Sequence, residues 1–230
     1  MDFLPLYSSS LGNLYRVTDG QTPLLIECGV PIQAIKKALG YRLSEVAGCL
    51  VSHSHMDHSR AVKGLLRIGI DCYMSAETAD TLGVKGHRLH ILQPLRQFNM
   101  GTWRVLPFST QHDCPGSMGF LLALRGEKLL FATDTYYIKY RFSSLSHIAI
   151  ECNYSLDTLS PDIGAARRRR LIESHFSLEN VKKFLAANDL SGVREIHLLH
   201  MSRDHGDADR FQGEIQGLTG KPVYVAGEKP

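Results

Sequence analysis

The chain has 230 residues, 43% of them hydrophobic and 21% charged, with a net charge of +3. At this length roughly 72% of the unfolded surface can be buried, so a full core forms without staples. The composition excludes a disordered chain, and the small net charge does not by itself announce a nucleic-acid binder. No apolar run approaches the ~18 residues of a membrane span, so no membrane partner is expected. The start, MDFLPLYSSS, has no basic n-region, and the first basic residue is Arg16. A secretory signal is therefore not expected. The five cysteines, Cys28, Cys49, Cys72, Cys114 and Cys152, contain no CxxC. They form neither a zinc knuckle nor a disulfide framework, and the expected compartment is the cytoplasm.

In chain order, Leu14 to Val17 and Leu24 to Cys28 flank the turn signal Asp19-Gly20 and predict a hairpin. Pro31 to Leu39 has helical spacing and stops at Gly40. Gly48 to Ser52 is a short buried strand that runs straight into His53-Ser54-His55-Met56-Asp57-His58. Ala61 to Ile68 reads as helix, Asp71 to Ser75 as strand and Ala76 to Leu82 as helix. Trp103 to Phe108, Gly119 to Leu124 and Lys128 to Thr133 are predicted strands, the last two joined by a tight turn at Arg125-Gly126-Glu127. Ser146 to Glu151 is another apolar strand, and Leu178 to Asn188 a helix capped by Ser177. Glu195 to Leu199, Asp207 to Leu218 and Val223 to Ala226 predict strand, helix and strand. No repeat or linker divides the chain, so one domain over 1–230 is expected. Two β-rich halves flanked by helices predict an α+β class with sheet packed on sheet.

Eleven histidines are unusual in a chain of this size. His53, His55, Asp57 and His58 place four potential ligands within six residues after an apolar strand. A loop can turn several side chains toward one point, which a regular strand or helix cannot. Imidazole and carboxylate suit zinc, manganese or iron, and four ligands so close suit two adjacent ions. His112, Asp134 and His200 each follow an apolar strand in the same way.

HxHxDH followed by His, Asp and His at strand ends resembles the metallo-β-lactamase superfamily. The likeness runs from Leu25-Ile26-Glu27-Cys28-Gly29, where the family usually has Asp in place of Glu27, to His200. It implies a four-layer αββα sandwich. It also implies that His53, His55 and His112 hold one divalent ion, that Asp57, His58 and His200 hold the other, and that Asp134 bridges them, with zinc or manganese as the metal. Asp57 then belongs to the catalytic residues as well as to the ligands. His112-Asp113, Gly119-Phe120 and His175-Phe176-Ser177 before His200-Met201-Ser202 resemble the phosphodiesterase branch, and within it the YycJ/WalJ-type nuclease group. Phe176 and Met201 stand where that group has leucines, and Arg203-Asp204-His205-Gly206 lacks its asparagine. Only 66 positions separate Asp134 from His200, too few for the large insertion of RNase J.

His175 is surplus to the metal shell and reads as a phosphate contact, as a general acid for the leaving oxygen, or as a loop histidine beside the Ser177 cap. Arg167, Arg168, Arg169 and Arg170 precede it. If helical they point around most of a circumference, so not all four can face one phosphate chain; they read either as a solvated basic face or as a substrate contact made by two of the four, with Ser177. Positions 167 to 194 carry seven basic residues against three acidic ones, which suits a polyanion. Asp113 and Glu151 are candidates for orienting the ligand imidazoles. His87 and His90 fall in a basic loop, at the surface or the rim of a substrate site, and His197 reads as a core residue or a support for the candidate ligands. Tyr136, Tyr137 and Tyr140 read as ordinary packing, as a pocket lining or as a surface on which a base stacks. The expected activity is phosphodiester hydrolysis by a hydroxide bridging two ions ~3.5–4 Å apart. Nucleic acid is the expected substrate, with DNA first by resemblance to the YycJ/WalJ-type group and with RNA and small phosphodiesters open. A thioester or lactone hydrolase of the same fold, and an inactive nucleic-acid-binding module, are the rival readings.

Overall fold

The computed structural model describes residues 1–160 and 162–227, in two compact units. The first comprises Met1–Ser109 with Cys114–Met118, and the second Thr110–Asp113 with Gly119–Ala226.

The first unit opens with β1 (Asp2–Ser9) antiparallel to β2 (Gly12–Thr18), which pairs with β3 (Leu24–Ile26) across the Asp19-Gly20 turn. The hairpin matches the sequence reading. β1 was not anticipated, because Pro5 breaks its strand pattern. Pro5 is tolerated because β1 is an edge strand and its register shifts between Pro5 and Tyr7. Then come α1 (Ile32–Ala38), β4 (Cys49–Leu50), α2 (Met56–Ser59), α3 (Val62–Arg67), β5 (Cys72–Ser75), α4 (Ala76–Leu82) and β6 (Leu89–Leu92). The six-stranded sheet runs β1-β2-β3-β4-β5-β6 and is parallel from β3 onward. β4 lies inside it with both residues buried, so the chain leaving it emerges at the end of a parallel sheet, where loops carry function. A hairpin of β7 (Phe98–Met100) and β8 (Trp103–Ser109) completes this unit. β6 replaces the expected basic loop. His90 lies in it, stacked 4.4 Å from the ring of Tyr73 and 3.4 Å from Asp71.

The second unit begins with most of β9 (Met118–Leu124), antiparallel to β10 (Glu127–Ala132). The connection is a two-residue turn with φ of 46° at Arg125 and 86° at Gly126, the left-handed pair that suits a tight hairpin. β11 (His147–Glu151), α5 (Ala165–Ser174), α6 (Leu178–Ala186), β12 (Glu195–Leu199), α7 (Ala208–Thr219) and β13 (Val223–Val225) follow. Strands β10 to β13 are parallel neighbours in the order β13-β12-β11-β10. β11 is buried along its whole length, which explains its unbroken apolar run. α6 starts at the Ser177 cap, whose hydroxyl accepts from Asn180 N at 3.3 Å, and it buries Val181, Phe184 and Leu185 on one face. Among the described residues, no helix is long and apolar enough to cross a membrane.

All five cysteines are free and buried, and burial pushes the Cys72 and Cys152 thiols up. Thiolate is the reactive form, so the folded protein should resist a thiol reagent. A disulfide-exchange dye is expected to label less than one thiol per chain in buffer and all five in denaturant.

Candidate metal centre

In the first unit, β4 delivers the chain into Ser52 and His53. His53 and His55 remain in loop, but Asp57 and His58 lie on the single-turn helix α2, so the cluster is not loop throughout as the sequence suggested. His53 Nδ1 lies 2.8 Å from the Ser52 hydroxyl, and its Nε2 lies 3.1 Å from Nδ1 of His55. Two nitrogens at ~2.0–2.1 Å from one tetrahedral ion are about 3.3 Å apart, so this pair already has ligand spacing. The His53 and His58 ring centroids are 4.3 Å apart. His58 is fully buried, with Nε2 3.3 Å from Asp57 Oδ2 and Nδ1 3.5 Å from Glu27 Oε1.

Glu27 and Asn13 support this cluster, and the sequence did not single out Asn13. Glu27 is fully buried with φ of 64°, and its Oε2 accepts from Ser52 N at 3.3 Å. Asn13 Nδ2 lies within 3.0 Å of Ser9 O, 3.1 Å of Asp57 O and 3.2 Å of His58 Nε2. Cys28 N donates to His58 O at 2.8 Å, and Ala61 N to Cys28 O at 2.9 Å. The two strips of backbone touch at Gly29, where an added Cβ would fall 1.6 Å from the Asp57 carbonyl oxygen. Gly29→Ala should therefore displace the ligand loop and destabilise the fold by about 2–3 kcal/mol or more. Urea unfolding of the wild type and the variant measures this.

In the second unit, His112, Asp134, Glu151, His175 and His200 come together. Asp134 and His200 follow β10 and β12 with φ of 47° and 49°. This left-handed turn at a strand end costs about 1–2 kcal/mol for a residue other than glycine, and it swings the side chain off the strand. Asp134 offers its two oxygens in two directions. Oδ1 lies 3.3 Å from His200 Nδ1 and Oδ2 lies 3.7 Å from His112 Nε2. His112 Nδ1 donates to Ser174 O, the end of α5, at 3.0 Å, which leaves Nε2 toward Asp134. Burial holds His112 below the usual histidine value despite Asp134, which suits a neutral ligand. Asp113, one of the two candidate orienting groups, lies 3.2 Å from His112 Nε2 and pairs with Arg170 at 2.7 Å.

Glu151, the other candidate, is fully buried and organises the rest. Its Oε1 accepts from His175 Nδ1 at 2.7 Å and lies 3.1 Å from His200 Nδ1. Its Oε2 accepts from Thr135 N and Phe176 N at 3.2 and 3.1 Å. Burial works against a charge on His175, but the Glu151 carboxylate outweighs it and raises its pKa. His175 keeps 22% of its side chain exposed, stacked 5.6 Å from the His200 ring. Each ligand imidazole with a tethered nitrogen presents the other, the arrangement in which supporting groups fix tautomer and direction for a metal. Donor types and spacing thus fit divalent ions.

α5 carries the arginine run as an exposed helix. Arg167 pairs with Asp204 at 3.7 Å and Arg169 with Glu173 at 2.9 Å, while Arg168 has no carboxylate partner among the described residues. Ser177 is buried and used as the α6 cap. His197 lies away from this cluster, 3.0 Å from Glu195 and stacked on Tyr224, in agreement with a core role.

Residues 22–201 match the family described as a β-lactamase superfamily domain. The exodeoxyribonuclease YycJ of Bacillus anthracis is 24% identical over 249 residues, covering 99% of this chain and 92% of that protein. The metallo-β-lactamase fold protein YhfI of Bacillus subtilis has a TM-score of 0.77 at 15% identity, over 99% of this chain and 96% of the other. The short form of human tRNase Z has a TM-score of 0.68 at 14% identity, over 99% and 97%.

Proposed function

Because this chain belongs to the β-lactamase superfamily, we propose that it is a dinuclear metal-dependent phosphodiesterase acting on nucleic acid, with DNA as the first substrate. It has the metallo-β-lactamase fold, in the α+β class that its sequence pattern predicts. In this reading His53, His55 and His112 hold one ion, Asp57, His58 and His200 the other, and Asp134 bridges. His53, His55, Asp57 and His58 stand together in the first unit, and His112, Asp134 and His200 in the second. The ions, zinc or manganese, supply charge neutralisation for the non-bridging phosphate oxygens and a hydrolytic nucleophile near neutral pH.

The observation that carries the phosphodiester reading is the Glu151–His175 pair beside Asp134. Glu151 fixes the Nδ1–H tautomer of His175 and favours its charged form. The imidazolium can then give a proton to a departing alkoxide, the poor leaving group of a nucleotide diester. A thioester, whose thiolate leaves readily, has no such need. The nuclease relative supports the same reading. A substrate panel tests it. Protein loaded with Mn²⁺ or Zn²⁺ should hydrolyse a simple phosphodiester at least tenfold faster than a thioester or lactone, and the reverse order would replace this reading with the carbonyl one.

The α5 arginines make a further contribution. Surface ion pairs are worth about 0–1 kcal/mol, so a phosphate readily displaces the carboxylates of Arg167, Arg169 and Arg170. Two phosphate contacts on single-stranded DNA would give a log K versus log salt slope about 1.4 units steeper than without them. Replacing Arg167 to Arg170 by alanine should flatten the slope by that amount, as filter binding from low to moderate salt would show.

A further inference from the structure

The second unit holds a cavity of about 340 Å³ that the hydrolytic groups do not use. Tyr136 and Tyr137, 38% and 57% exposed, stand at its rim, while buried Phe176 and Phe184 form its floor. Tyr140 completes the aromatic lining. The cations Lys139, Arg141 and Lys183 also line it, and no carboxylate does. None of the three has a carboxylate partner among the described residues, and Lys139 Nζ lies 5.2 Å from the centroid of the Tyr140 ring.

The volume is at the small end of the ~300–1,000 Å³ of small-molecule sites, enough for a base or a nucleoside and too small for a duplex. Aromatic faces favour a planar ring, and unpaired cations favour one carried on an anionic backbone. An acyl chain would use the apolar walls and leave the cations without a purpose. The lining is tied to the hydrolytic groups along the chain. Tyr136 and Tyr137 come shortly after Asp134, and Phe176 directly follows His175. Tyr136 N donates to Gln111 O at 3.1 Å, beside His112. Thr135 Oγ1 accepts from Gln111 N at 2.9 Å and donates to Tyr137 O at 2.9 Å. The tyrosine segment is therefore held in place.

We propose that this cavity receives one unpaired base of the polynucleotide, stacked on Tyr136 and Tyr137, and so sets a preference for single-stranded substrate next to the cleaved linkage. The proposal rests on the nucleic-acid reading above and adds a determinant of specificity to it.

The test compares metal-loaded protein on an oligothymidylate and on a strand of equal length built from abasic tetrahydrofuran residues. The wild type should prefer the base-bearing strand in kcat/KM by about five- to a hundredfold, the range expected for stacking one base. The double variant Tyr136→Ala, Tyr137→Ala should bring that ratio near one. Tyr136→Phe with Tyr137→Phe, which keeps the rings, should retain it. Equal cleavage of both strands by the wild type overturns the proposal without recourse to any variant, as does an unchanged ratio in the alanine protein. If the wild type cleaves neither strand, the reading of single-stranded DNA as substrate fails, and equilibrium binding of the same strands decides the subsite. Tighter binding of the base-bearing strand, lost in the alanine variant, upholds it, and equal binding overturns it.

Discussion

Asp134→Ala should lose at least one of two bound ions and lower hydrolysis by about three orders of magnitude or more. Asp134 is the residue whose two oxygens look toward two different imidazoles, Oδ1 toward His200 and Oδ2 toward His112. Thr133 Oγ1 donates to Oδ1 at 2.8 Å and helps to fix that orientation. A bound ion supplies several kcal/mol of charge stabilisation in the transition state, and each ~1.4 kcal/mol is tenfold in rate. The fold should survive, because β10 ahead of Asp134 keeps its buried apolar residues. The left-handed turn is the weak point, and Asp134→Asn, which tolerates that backbone, serves as the control. Elemental analysis and circular dichroism read the two halves of the expectation. Full metal content in the alanine variant would remove Asp134 from the bridging role.

His175→Ala should keep both ions and lower kcat by about 10²–10⁴-fold, the contribution of a positioned general acid. His175 is held by Glu151 at 2.7 Å, while its Nδ1 stays 4.0 Å from Asp134. It therefore acts through its proton. The sign of the pH effect follows from the raised pKa. A general acid works while protonated, so kcat should fall as pH rises through a value above the ordinary 6.5 of histidine. Glu151→Gln removes the carboxylate that raises it, and the alkaline fall should move to lower pH. Glu151 also contacts His200, so metal content must be measured beside the profile. An unchanged kcat in His175→Ala would return this residue to a merely structural place.

The clusters of imidazoles and carboxylates were legible because such groups at the ends of apolar strands have few other reasons to crowd together. Their supports were less legible. Asn13 is brought to Asp57 and His58 only by β2, forty-four residues away along the chain from Asp57. Glu27, Asp134 and His200 adopt left-handed backbone with no glycine or asparagine to signal it. α5 carries no apolar stripe because Ser174 is its one buried residue among those described, so helical periodicity had nothing to register. β6 was hidden for a related reason. Leu89-His90-Ile91-Leu92 neither alternates cleanly nor forms an apolar run, and its pairing with β5 decides it. Glu151, by contrast, was visible as a candidate, since a carboxylate ending a buried strand needs a partner.

A time course on 5′- and 3′-end-labelled DNA and RNA, with protein loaded with Mn²⁺ or Zn²⁺ and Asp134→Ala run beside it, bears most directly on the proposed activity. Cleavage by the wild type and not by the variant is the expected result, and the product ladder would give polarity and endo or exo action. Absence of cleavage with either metal, or equal cleavage by both proteins, would contradict it.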